Sequence, residues 1–240
     1  MPRPFQEWTV LPHSRLTRLD DNIISVVGEL HMPLADFPRR MTVVRLSDRR
    51  LVIYSAIALD EAEMQEIERF GHPHFLIVPG ASHRMDAKIW KDRYPNLFTV
   101  APIGARAKVE EVVHVDATKV DFGDPSVAFV QVPGTEGREA ALIVRTATGT
   151  NLVVNDIIGN LADRKGFGGW ALRVMGFTGP APRVPTFAAK RVIKDKSAVR
   201  EQFERWARLS ALKRIIVSHG APIENEPARA LENLATSLRA

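Results

Sequence analysis

Three short segments of this sequence place a titratable side chain directly after an apolar run. The run FLIVP (75–79) leads into GASHRMD (80–86), which carries His83 and Asp86. The run NLVV (151–154) leads into Asn155 and Asp156, and RIIV (214–217) leads into Ser218, His219 and Gly220. Two imidazoles and two carboxylates make a donor set that suits a hard or borderline divalent cation. Taken singly, each residue has a plainer meaning. A strand-end His is commonly a hydrogen-bonded structural residue, Asp156 can cap a helix beginning at Ile157, and Asp86 suits the first turn of a helix. Their shared position joins them, because strand ends present reactive groups on rigid supports.

The elements that must position these residues follow from the apolar pattern. The run HFLIV (74–78), bounded by Pro73 and by Pro79-Gly80, reads as a strand buried on both faces. MTVVRL (41–46) and LVIYSAIAL (51–59) flank a polar turn and predict a hairpin. Asp60, with Glu63 three residues on, predicts a capped helix through Met64, Ile67 and Phe70 that stops at Gly71. A short helix is expected at 86–93, and strands at 97–101, 112–115 and 127–132. Residues 138–146 and 151–155 surround Thr148-Gly149-Thr150 as a second hairpin. Val199, Phe203 and Trp206 mark one amphipathic helix, and Leu231, Leu234, Ala235 and Leu238 mark a closing one. Trp90 and Trp206 fall at core positions. The whole chain, 1–240, reads as one domain with a Gly-, Pro- and base-rich excursion at about 161–196.

Composition narrows the chemistry. The 240 residues include no cysteine, so disulfides, thiolate metal clusters and a thiol nucleophile are excluded. Any metal must be held by His, Asp and Glu. The 45% hydrophobic and 25% charged content is that of a globular protein. The net charge of +5 is mild, and eight of the basic residues lie in 161–196. That favours an anionic small molecule over a nucleic acid, for which a denser basic patch is expected. The stretch RKGFGGW (164–170) reads as a loop on the rim of a pocket. No apolar run is long enough to span a membrane, so no membrane partner is expected. The polar N-terminus lacks the apolar core of a secretory signal, which makes the cytoplasm the expected compartment.

The order of these motifs resembles the metallo-β-lactamase-fold superfamily. It is similar in particular to a branch designated a domain of unknown function, with a reduced metal motif. The resemblance runs from about residue 18 to the end. It rests on LDDN (19–22), RMTVVRL (40–46), LVIYSAIAL (51–59), FLIVPGASHRMDAKIWKDRYP (75–95), VPGTEGREAALIV (132–144), NLVVNDIIGNL (151–161) and RIIVSHGAPI (214–223). It implies an α/β fold, a four-layer αβ/βα sandwich of two sheets with helices outside. It also implies a metal-dependent hydrolase, with Asp156 at the place of the family's bridging carboxylate and His219 at that of its last metal-binding His.

Two segments depart from the family pattern. Its central loop reads H-x-H-x-D-H, whereas this chain has only His83 and Asp86 there. Aligning Asp86 on the motif Asp puts Ser82 and Arg84 where paired His belong; aligning His83 leaves Asp86 one place out. Thr135 stands where the Pro-Gly-His segment has its His; Glu136 and Glu139 lie near it, either as substitutes or as plainly exposed residues. The resemblance therefore implies a reduced site. One divalent ion, zinc ahead of iron or manganese, is expected on His83, Asp86, Asp156 and His219, with Asp86 or Asp156 as general base. The substrate class is an ester, amide, thioester or phosphoester. The alternative is a binding or scaffold protein that keeps the fold without a metal.

Overall fold

The structure is a computed structural model, which describes residues 3–31, 36–163, 166–174 and 176–239. Its layering follows from strands that have no solvent face. Leu51, Val52, Ile53 and Tyr54 are all buried. Successive side chains of a strand point to opposite sides. Accordingly Leu51 and Ile53 join one apolar cluster, and Val52 and Tyr54 another. The same division separates Leu152 and Val154 from Val153, and Ile215 and Val217 from Ile216. Strands apolar on both sides must be covered on both sides.

Two sheets meet this demand. The first has the order β1 (Thr17–Asp20), β2 (Ile23–His31), β3 (Asp36–Arg45), β4 (Arg50–Tyr54), β5 (His72–Ile77), β6 (Phe98–Val100). It is antiparallel from β1 to β4 and parallel from β4 to β6. The second contains β7 (Val127–Gln131), β8 (Ala140–Thr146), β9 (Gly149–Val154) and β10 (Leu212–Val217), in the order β10-β9-β8-β7. Its β9 and β10 are parallel. The sheets share a central cluster that includes Val44, Tyr54, Ile77, Leu142, Val153 and Ile216.

Helices cover the outer faces. On the first sheet lie α1 (Glu61–Phe70), α2 (Ala87–Arg93) and α3 (Ile103–Glu110), through side chains such as Ile67, Trp90 and Val109. A fourth helix, α4 (Gly166–Val174), leads toward α5 (Thr186–Arg191), α6 (Lys196–Ala207) and α7 (Pro227–Ser237), which cover the second sheet. Trp90 and Trp206 are both core residues.

Several expectations are corrected. Residues 112–115 form no strand; they follow α3, a helix whose buried face is only Ala105 and Val109. Two small apolar residues in eight give too weak a periodicity to read. Asp60 precedes α1 as expected, but its side chain caps nothing; the Asp60 N–H donates to His13 Nε2 at 3.2 Å. No helix starts at Ile157. Gly166–Val174 is helical where a loop was expected, while Arg164 and Lys165 lie outside the described residues.

Candidate metal centre

The parallel registers bring the strand-end residues together. Val154 of β9 pairs with Val217 of β10, so Asp156 and His219, each two residues further on, emerge side by side. Tyr54 of β4 likewise pairs with Ile77 of β5. Beyond β5 the chain passes Pro79-Gly80 and makes one 3-10 turn, Ala81–His83, which carries His83. His83, Asp156 and His219 each offer one ligand atom, and these atoms lie within 4.8 Å of one another.

One carboxylate oxygen is the focus. Asp156 Oδ1 lies 3.1 Å from His83 Nε2 and 3.0 Å from His219 Nε2. The two imidazole centroids are 5.2 Å apart. Each ring is held from behind through Nδ1. His219 Nδ1 lies 2.7 Å from the carbonyl oxygen of Pro38, and His83 Nδ1 lies 2.7 Å from Ser55 Oγ. Phe37 packs against the His219 ring at 4.5 Å, and Phe177 against Phe37.

Electrostatics follow the geometry. Burial pushes the His83 imidazole below its ordinary pKa, and the neighbouring Asp156 offsets this only in part. Burial alone would raise Asp156. The adjacent imidazoles and their hydrogen bonds outweigh it, and hold the carboxyl well below the usual range. Glu139 is pushed the other way, first by burial and then by the charge of Asp156.

Asp86 does not join this cluster. It is fully buried and ion-paired with Arg39, and it accepts the Ala58 N–H at 2.9 Å. Both of its oxygens are engaged, one by the guanidinium and the other by the guanidinium and the Ala58 amide. The loop thus contributes His83 and not Asp86. Arg84 turns away to Glu111 at 2.7 Å, and exposed Glu136 pairs with Arg138 at 2.8 Å. Glu139 is buried, but it bonds the backbone N–H of Asp156 and the Asn155 amide, each at 3.2 Å. Thr135 is buried and donates to the Val132 carbonyl. His114 is exposed beside Asp116.

Ser55, Arg39 and the Pro38 carbonyl escape the sequence reading. Ser55 directly follows the apolar strand LVIY, so the strand-end rule would have found it had it been extended to hydroxyls. Arg39 and Pro38 carry no such signal, since they sit inside a strand. A second group of donors, His13, Asp60 and Glu63, also lies close together. There His13 Nε2 accepts the Asp60 N–H at the start of α1, and the positive end of a helix disfavours a cation.

The metallo-β-lactamase DIM-1, in a structure of the enzyme exposed to ceftazidime, superposes with a TM-score of 0.64 at 13% identity. The match covers 95% of this chain and 99% of that one. The chain has the metallo-β-lactamase fold. FIM-1 from Pseudomonas aeruginosa, solved in a mono-zinc form, superposes at 0.61 with 13% identity over 95% of this chain and 96% of its own. VMB-1 does so at 0.65 with 13% identity over 94% and 98%. No protein-family model and no curated protein sequence matches the chain. At these identities the likeness establishes the metallo-β-lactamase fold and leaves the chemistry to the residues themselves.

Proposed function

We propose that His83, Asp156 and His219 hold a single divalent metal ion, zinc ahead of iron or manganese, and that the chain is a metal-dependent hydrolase with a reduced, mononuclear site. One observation carries this reading. The Pro38 carbonyl can only accept, so His219 Nδ1 bears the proton. In the neutral ring, Nε2 then presents a lone pair to Asp156 Oδ1 at 3.0 Å. Two acceptors at that distance need a proton or a metal cation between them, and His83 Nε2 approaches the same oxygen. A proton on each ring would meet it pair by pair; one divalent cation meets the demand of all three groups at once. Two nitrogens and one carboxylate oxygen form a known donor set for zinc or non-haem iron, and three protein ligands leave a position open.

A divalent ion bound there supplies Lewis acidity, toward a carbonyl or phosphoryl oxygen and toward water, whose pKa it lowers to about 7. The protein's own residues do the rest. The Pro38 carbonyl and Ser55 fix the rings, and Asp156, held low, stays ionised as a ligand. A carboxylate committed to the metal is not free to serve as general base, so ligation is its role. The fold's metallo-β-lactamase neighbours and the basic 161–196 segment support a small, anionic ester, amide, thioester or phosphoester substrate. Among the described residues no helix is long and apolar enough to cross a membrane.

The reduced central loop, with His83 and Asp86 alone, and Thr135 at the place of a family His favour a second reading, a binding or scaffold protein without a metal. Elemental analysis of the purified protein beside Asp156→Ala separates the two. About one equivalent of metal in the wild type, absent from the variant, is expected. Metal-free protein that takes up no zinc on titration would favour the second reading.

A further inference from the structure

Glu139 is a buried carboxylate that contacts both halves of the candidate site without facing the convergent oxygen of Asp156. It immediately precedes β8, and its neighbour Ala140 ties the two sheets together. The Ala140 N–H donates to the Pro79 carbonyl at 2.9 Å, and the Ala140 carbonyl accepts the Tyr54 hydroxyl at 2.7 Å. The Glu139 side chain is thereby held between the loop after β5 and the end of β9. On one side its oxygens accept the Asn155 amide and the Asp156 N–H, each at 3.2 Å. On the other side Gly80 passes over it. A Cβ at Gly80 would stand 2.8 Å from Glu139 Oε1 and 3.0 Å from Asn155 Nδ2. Only a residue without a side chain lets the loop come so close. Three residues beyond Gly80 is His83.

We infer that Glu139 is the positioning residue that sets the spacing of His83 and Asp156, and through it the affinity of the site for metal. This rests on the metal reading above. His83 arrives from the first sheet and Asp156 from the second, and 3.1 Å separates their facing atoms. A ligand pair drawn from two sheets needs a common reference, and the Glu139 carboxylate packs against the chain leading to both. Its contribution is reach, spanning two N–H donors at once, and not its charge.

Reach and charge can be separated by substitution. Glu139→Asp keeps the carboxyl group but is one methylene shorter and cannot hold both donors. Glu139→Gln exchanges the carboxyl for an amide but keeps the length. Its Oε1 can accept the Asp156 N–H while its Nε2 donates to Asn155 Oδ1, a buried atom that makes no hydrogen bond at present, after a turn of the Asn155 amide. The experiment is zinc titration of the metal-stripped full chain by calorimetry, with Tm measured in parallel. Asp20→Asn, which disturbs a network at the opposite strand ends, serves as the control for general loss of stability. The expected result is zinc binding by the wild type, about 10–100-fold weaker binding in Glu139→Ala and Glu139→Asp, and near wild-type binding in Glu139→Gln and Asp20→Asn. Unchanged affinity in Glu139→Asp, or loss in Glu139→Gln but not in Glu139→Asp, overturns the inference while leaving the metal site standing. An equal affinity loss in Asp20→Asn also overturns it, since the effect would then be global. Absence of zinc binding by the wild type overturns both the inference and the metal reading.

Discussion

His219 lies with Nδ1 2.7 Å from the carbonyl oxygen of Pro38, a residue 181 positions earlier in the chain. The contact ties the last strand end of the second sheet to β3 of the first. It also decides which nitrogen faces Asp156. Removing the ring should remove a ligand at the cost of one hydrogen bond between the sheets and the contact with Phe37. We expect zinc to raise the Tm of the wild type, since a ligand bound only by the native state stabilises it by about 2.7 kcal/mol at a hundredfold excess over Kd. His219→Ala should lose most of that rise while keeping its metal-free Tm within a few degrees. An undiminished zinc response in the variant would remove His219 from the site.

Asp86 and Arg39 form a buried pair beside the cluster, and their energetics should be those of a structural pair. Asp86→Ala leaves a buried guanidinium uncompensated and frees the Ala58 N–H, a loss of about 3–5 kcal/mol. Arg39→Met with Asp86→Leu removes both charges and should recover much of it, as apolar replacements of buried pairs often do. Denaturant unfolding of the three variants tests this. A double variant no better than Asp86→Ala would mean that Asp86 supports the fold through something other than its charge partner.

Ser55 sits at φ 59° directly after β4, with Oγ on His83 Nδ1. Left-handed backbone at a residue that carries a side chain costs roughly 1 kcal/mol or more, and it aims the hydroxyl at the ring. Ser55→Ala should leave the strand in place but free the imidazole to turn. Zinc affinity is expected to fall by about tenfold, with a small change in metal-free Tm. An affinity equal to that of the wild type would assign the Ser55 contact to packing alone.

The contrast between Asp156 and Asp86 shows what the sequence can carry. Asp156 and His219 were legible because each stands two residues past an apolar strand, and parallel pairing turns equal offsets into proximity. His83 and Asp86 share one loop, three residues apart, and nothing local tells which of them faces the cluster. Arg39 decides it, by drawing Asp86 away from the cluster, and Arg39 lies 47 residues upstream inside a strand. The sheets were readable for the same reason as Asp156: runs such as LVIY and NLVV are apolar at every position and demand cover on both faces. The helix α3 was not, because its contact with the sheet is made by small residues. Glu139 stood close to the right place in the sequence, but only the crossing of Gly80 shows that it touches the backbone beside the ligands.

The opposite strand ends hold the acid sensitivity. Asp20 accepts the Thr146 and Thr148 hydroxyls at 3.1 and 2.7 Å and the Asn151 amide at 3.3 Å, clasping β1 to the second sheet. Asp124 accepts the Ser126 hydroxyl at 2.7 Å, the Ser47 N–H at 2.7 Å and the Ser126 N–H at 2.9 Å. Burial alone would raise both carboxyls, but these hydrogen bonds outweigh it. Asp20 falls well below the usual range and Asp124 falls to about 2. A folded pKa below the unfolded value of about 3.9 means that the unfolded chain binds protons first as pH falls. The stability each group contributes is therefore complete above about pH 5. For Asp124 it should be lost progressively as pH falls toward about 2, and for Asp20 it should persist lower. Asp124→Asn should cost about 1–3 kcal/mol at neutral pH, because one N–H loses its acceptor. Chemical denaturation at stepped pH should show the wild type converging on Asp124→Asn between about pH 4 and 2. A stability difference that stays constant across that interval would show that the Asp124 carboxyl titrates alike in the folded and unfolded chain.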